Sequence, residues 1–91
     1  MIERFSIGQI VFSKSGRDKG RPFVVISIEE DYAYLADGVM RQVEAPKRKK
    51  YKHVQQTNDA IEWIKQKIIE DGNLTNSDIR KALNEYLEAS I

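Results

Sequence analysis

The stretch Gly8-Gln9-Ile10-Val11-Phe12-Ser13-Lys14-Ser15-Gly16-Arg17-Asp18-Lys19-Gly20-Arg21-Pro22-Phe23-Val24-Val25-Ile26 decides the fold. Its two ends are short runs of β-branched and aromatic residues, the composition of strands rather than helices. Between them, residues 15–21 hold two glycines that permit positive φ, and four of the seven are charged, which predicts a solvated loop. A strand, a basic loop and a strand therefore open the chain.

Working outward, the strand over 22–28 is apolar on both sides, as a central strand of a small closed sheet should be. Val24, Ile26 and Ile28 are expected on its inner face, with Phe23 and Val25 partly covered from outside. Glu29-Glu30-Asp31 reads as a turn, residues 32–36 as a strand around Ala33 and Leu35, and Asp37-Gly38 as a tight hairpin leading to a strand over 40–43. Pro46 marks a break. After it, 47–55 reads as an edge strand with Tyr51 and His53 on one face and Lys50, Lys52 and Val54 on the other, which sets the lysines at a rim.

From Thr57 the period becomes helical. Ile61, Ile64, Ile68 and Ile69 form a stripe with Trp63 beside it as an anchor, and Thr57, Asn58 or Asp59 is placed to cap the start. Asp71-Gly72 supplies a stop. Thr75 with Asp78 resembles a variant capping box opening a second helix, whose stripe is Ile79, Leu83, Tyr86 and Leu87. The expected organisation is a β unit over 1–56 and a two-helix extension over 57–91. The helices should pack on each other and on the barrel, or on a partner.

Ninety-one residues suffice for one core with an appendage. The absence of cysteine excludes disulfides, thiolate zinc sites and cysteine nucleophiles. His53 is the sole histidine and has no second ligand type in support, so no metal, cofactor or catalytic role is expected and the chain reads as a non-enzyme. Asp18 and Asp37 sit beside glycines in turns, where Asp bonds the backbone, and do not read as a hydrolytic pair. No run approaches the roughly 20 apolar residues of a membrane span, and residues 1–6 lack the apolar core of a secretion signal. A cytoplasmic protein without membrane contact is expected.

The net charge of +1 conceals an asymmetry. Before residue 57 there are eleven Lys or Arg against seven Asp or Glu, a net +4; from Thr57 there are four against seven, a net −3. The densest run is Lys47-Arg48-Lys49-Lys50-Tyr51-Lys52-His53, five fixed positive charges with an aromatic and an imidazole interleaved. Such a run can be a mere solvated face. If Lys14, Arg17, Lys19 and Arg21 of the loop lie on the same side, however, the self-repulsion makes most sense facing phosphates. Tyr51 and His53 are then placed to stack on bases. The loop itself is no nucleotide cradle, because it lacks a Gly-Lys-Ser/Thr ending and leads into a strand instead of a helix.

Residues 8–26, extended by Leu35-Ala36-Asp37-Gly38 and by the lysine-rich stretch ending Lys52-His53-Val54, resemble a KOW motif. The arrangement is similar to the KOW-domain RNA-binding proteins of bacteria, related to large-subunit ribosomal proteins of archaea and eukaryotes, and covers about two thirds of the chain. The resemblance implies an SH3-like five-stranded β-barrel, here followed by a helical hairpin, whose β1–β2 loop contacts RNA. Lys14, Gly16, Arg17, Lys19, Gly20 and Arg21 thereby join Lys47, Arg48, Lys49, Lys50, Tyr51, Lys52 and His53 as candidate RNA-binding residues. The expected partner is RNA, rRNA above all, with the ribosome or a protein docking on the helices as further partners. The competing reading, from a different class, is an SH3-like protein-interaction module that recruits a translation or transcription factor.

Overall fold

Apolar residues on both faces of the first three strands build the centre of the molecule. In the computed structural model, which describes residues 5–70 and 72–89, five antiparallel strands form one sheet in the order β4-β3-β2-β1-β5. They are β1 (Gln9–Ser13), β2 (Pro22–Glu29), β3 (Tyr32–Ala36), β4 (Lys47–Lys50) and β5 (Val54–Ala60). Two helices follow, α1 (Glu62–Glu70) and α2 (Asn76–Ala89). The sheet curls strongly, because β4 and β5 occupy opposite edges yet are joined by a single turn of 3-10 helix, Tyr51–His53.

Inside the curl lie Phe5, Val11, Phe23, Val25, Ala33, Leu35 and Val54, with Tyr51 packed against them. On the outer face, Ile10, Val24 and Ala36 meet Ile64 of α1 and Ile79, Ala82 and Leu83 of α2. Each fully buried Phe, Leu, Ile or Val side chain contributes roughly 1.5–3 kcal/mol, so the helices share the sheet's main stabilisation. From Phe23 to Ile26 the expected faces of β2 are therefore exchanged. Phe23 and Val25 point into the curl, and Val24 lies beneath the helices; all three are buried. A register shift between Val25 and Ser27 then sets Ile28 opposite Ala33, on the inner side as expected, where it remains 36% exposed.

Two further expectations are corrected. Residues 40–43 form no strand; residues 37–46 are a loop. The single edge strand over 47–55 is instead β4, the 3-10 turn and the start of β5, so the turn breaks the expected alternation of Tyr51 and His53 against Lys50, Lys52 and Val54.

Helical structure begins at Glu62, not Thr57. Residues 54–60 pair with β1, and their side chains lock that register. The Thr57 hydroxyl donates to the Ile10 carbonyl at 2.7 Å, and Gln9 Nε2 donates to Gln56 Oε1 at 3.1 Å and the Thr57 carbonyl at 2.9 Å. Tertiary pairing overrides the poor strand propensity of Gln, Asn and Asp. Gly8 makes the junction with α1: its carbonyl accepts the Ile61 N–H at 2.8 Å, and a Cβ on its φ of +85° would lie 2.9 Å from the Ile61 carbonyl oxygen.

In α1, Ile64 is buried, but Trp63 and Ile69 are 38% and 62% exposed. Trp63 does not anchor the helix; Lys81 of α2 lies over its ring at 5.7 Å. The capping box at Thr75 forms as expected. The Thr75 N–H donates to Asp78 Oδ2 at 3.0 Å, and the Asp78 N–H donates to the Thr75 hydroxyl at 3.1 Å. Lys67 of α1 bonds the same Asp78 oxygen at 2.8 Å and, with Thr75, holds this carboxyl below its usual pKa against the opposing effect of burial.

Candidate nucleic-acid interface

The loop between β1 and β2 is short enough to close on itself. The Gly20 N–H donates to the Ser13 carbonyl at 2.8 Å, and residues Gly16–Asp18 make one 3-10 turn. That turn points Asp18 inward, where it is buried, so the segment is not the wholly solvated loop its composition suggests. Arg41, from the loop after β3, donates to Asp18 Oδ2 from Nε and Nη2 at 3.0 and 2.8 Å. Arg21 pairs with Asp37 at 3.4 Å, and Asp37 Oδ1 accepts the Arg41 N–H at 2.8 Å. The carboxylates considered as a hydrolytic pair are thus separate partners of two arginines that staple neighbouring loops.

Lys49 joins the lysine-rich segment to this structure. Its ammonium donates to the Ser13 hydroxyl at 2.7 Å and the Ser15 carbonyl at 2.8 Å, spanning from the β4 edge to the end of β1. Burial pushes its pKa down; Asp18 opposes that shift, while Lys47 and Arg41 add to it. At the other end of the segment, the Lys14 N–H donates to the His53 carbonyl at 2.9 Å. Lys47, Lys49, Lys52 and His53 consequently adjoin the loop that carries Lys14, Gly16, Arg17, Lys19, Gly20 and Arg21. Lys14, Arg17, Lys19, Lys52 and His53 are exposed, and Lys47 and Lys49 are half-buried. Among the described residues no carboxylate is within ion-pair distance of Lys14, Arg17, Lys19, Lys47, Lys49 or Lys52.

The remaining candidates lie elsewhere. Cross-strand pairing sets Lys47 opposite Leu35 and Lys49 opposite Ala33, but Arg48 opposite Tyr34 and Lys50 opposite Tyr32, on the other face. There Arg48 stacks on the Tyr32 ring at 3.6 Å and lies 3.6 Å from Glu29, which also accepts the Tyr34 hydroxyl at 3.1 Å. Tyr51 is half-buried against the inner core, which withdraws its ring from stacking on a ligand.

Sequence reasoning missed Arg41, Ser13 and Ser15. A lone arginine after a turn carries no signal of the buried acid it will meet, and serines at a strand end look like ordinary turn formers. Among the described residues no three His, Asp or Glu side chains gather as a metal site, and no helix is long and apolar enough to cross a membrane. The chain matches no family model and no curated protein.

Proposed function

We propose that this chain binds structured RNA, rRNA in the first instance, as a cytoplasmic ribosome-associated protein. In this reading the curled sheet is an SH3-like barrel of the KOW kind, and the basic surface around its β1–β2 loop meets the phosphate backbone. The role is binding without chemical transformation. The Lys49 clasp carries the proposal: it draws β4 and the β1–β2 loop together, so cations more than 30 positions apart adjoin one another. Acids that could quench them are already engaged by Arg41 and Arg21. Like charges gathered in this way repel, and a polyanion relieves that repulsion.

If about five phosphates are contacted, raising salt from 50 to 200 mM weakens binding by roughly 10²-fold, because each contributes about 0.7–0.9 to the logarithmic slope. Fluorescence anisotropy with an rRNA hairpin measures this. A salt-independent affinity, or none, would falsify the reading. Crosslinking in cells followed by sequencing of the bound RNA then identifies the target.

A further inference from the structure

The loop between β3 and β4 presents Val39 and Met40 to solvent, 57% and 65% exposed. It is nevertheless a clamped loop. Asp37 Oδ1 accepts the Val39 and Arg41 N–H groups at 2.9 and 2.8 Å, and Arg80 of α2 donates to the Gly38 carbonyl at 2.7 Å. Gly38 has a φ of +81°, and a Cβ there would come within 2.5 Å of the Asn76 carbonyl oxygen. Further along, the Val43 N–H donates to Asn76 Oδ1 at 2.8 Å. Two adjacent apolar side chains on this clamped backbone keep more than half of their surface in water, and a ligand that covered it would gain the transfer energy of that area.

The surroundings specify the contact. Arg41 ties this loop to Asp18 of the β1–β2 loop, so the apolar knob is stapled beside the segment carrying Lys14, Arg17 and Lys19. An ordinary protein surface gains little from that flank; a polyanion with an apolar face gains from both parts. Nucleobases have such faces, but in an uninterrupted duplex stacking neighbours cover them, and side chains cannot read the narrow major groove of A-form RNA. We infer that Val39 and Met40 pack against the face of an unpaired nucleobase, so that the RNA taken by this surface carries a bulge, loop or splayed end. This rests on the RNA-binding reading and specifies its substrate class.

The test uses two hairpin RNAs of nearly equal phosphate count, one fully paired and one with a single unpaired adenosine in its stem. Each is titrated with the wild-type chain and with V39S/M40S at several salt concentrations. The wild-type chain should prefer the bulged hairpin by on the order of tenfold, from burial of the two exposed side chains. V39S/M40S should bind both hairpins with the paired hairpin's affinity and an unchanged salt slope. Because both side chains are at the surface, thermal melting should show the variant folded; the single variant M40S should show an intermediate preference. Salt-dependent but equal binding of the two hairpins by the wild-type chain overturns this inference and leaves RNA binding standing. An equal loss on both hairpins in V39S/M40S also overturns it. Absence of salt-dependent binding to either hairpin overturns both readings.

Discussion

The two faces of β4 are made from one uninterrupted basic run, yet they differ in what surrounds them. Lys47 and Lys49 share the face of Leu35 and Ala33, and Lys49 closes onto the β1–β2 loop. Arg48 and Lys50 share the face of Tyr34 and Tyr32, where the Arg48 guanidinium is already occupied by an aromatic ring and Glu29. A strand divides a charge run by parity, so the two halves of the run meet different neighbours. The number of lysines in the run is a poor guide to binding strength. Four consecutive cations supply two to each face.

Charge reversal on each side tests this division most severely. K14E/R17E/K47E should lower affinity for an RNA hairpin by about 10³-fold at 50 mM salt, each lost phosphate contact being worth about tenfold there. R48E/K50E reverses two charges and should lower it by less than about tenfold, through long-range repulsion alone, where two lost contacts would cost about 10²-fold. Comparable losses from the two variants would erase the distinction between the faces.

Stability sharpens the same contrast. Arg41→Ala leaves the buried Asp18 carboxylate unpaired and should cost about 3 kcal/mol in urea denaturation. Arg48→Ala removes a stack and an ion pair that are both half exposed and should cost less than about 1 kcal/mol. If both variants lose the same stability, the Asp18–Arg41 staple is not what holds the two loops together.

The smallest effect is a pH dependence specific to Lys49. Its folded pKa lies below the ordinary lysine value, so between the two the unfolded chain binds more protons and stability rises with pH. Above the ordinary lysine value the contribution is constant. K49M, which has no ammonium, should remove that alkaline rise, as a series of urea melts across the interval would record. An undiminished rise would place its origin in another group.

Much of the architecture was legible because it rests on local chemistry. Phe23, Val24 and Val25 announced a strand buried on both sides, and Thr75 with Asp78 announced the start of α2. The inner and outer faces of β2 were not legible, because both are apolar and only the later helices determine which one lies outside the curl. Residues 57–60 read as the start of a helix because the isoleucine stripe follows them at helical spacing; their pairing to β1 depends on Gln9 and Thr57 meeting across 48 positions. At the candidate site, the basic loop and the lysine run were visible as composition. Their junction through Lys49, the split of Arg48 and Lys50 to the other face and the inward turn of Asp18 are products of register, which no charge count contains.

Side-chain NMR of the lysine ammonium and arginine Nε–H groups, followed while a structured rRNA hairpin is added, separates the two faces of β4 directly. Binding at the β1–β2 loop predicts shifts for Lys14, Arg17, Lys19, Lys47 and Lys52, with Arg48 and Lys50 nearly unchanged. Shifts concentrated on Arg48 and Lys50, or on Lys65, Lys67 and Lys81 of the helices, would contradict it.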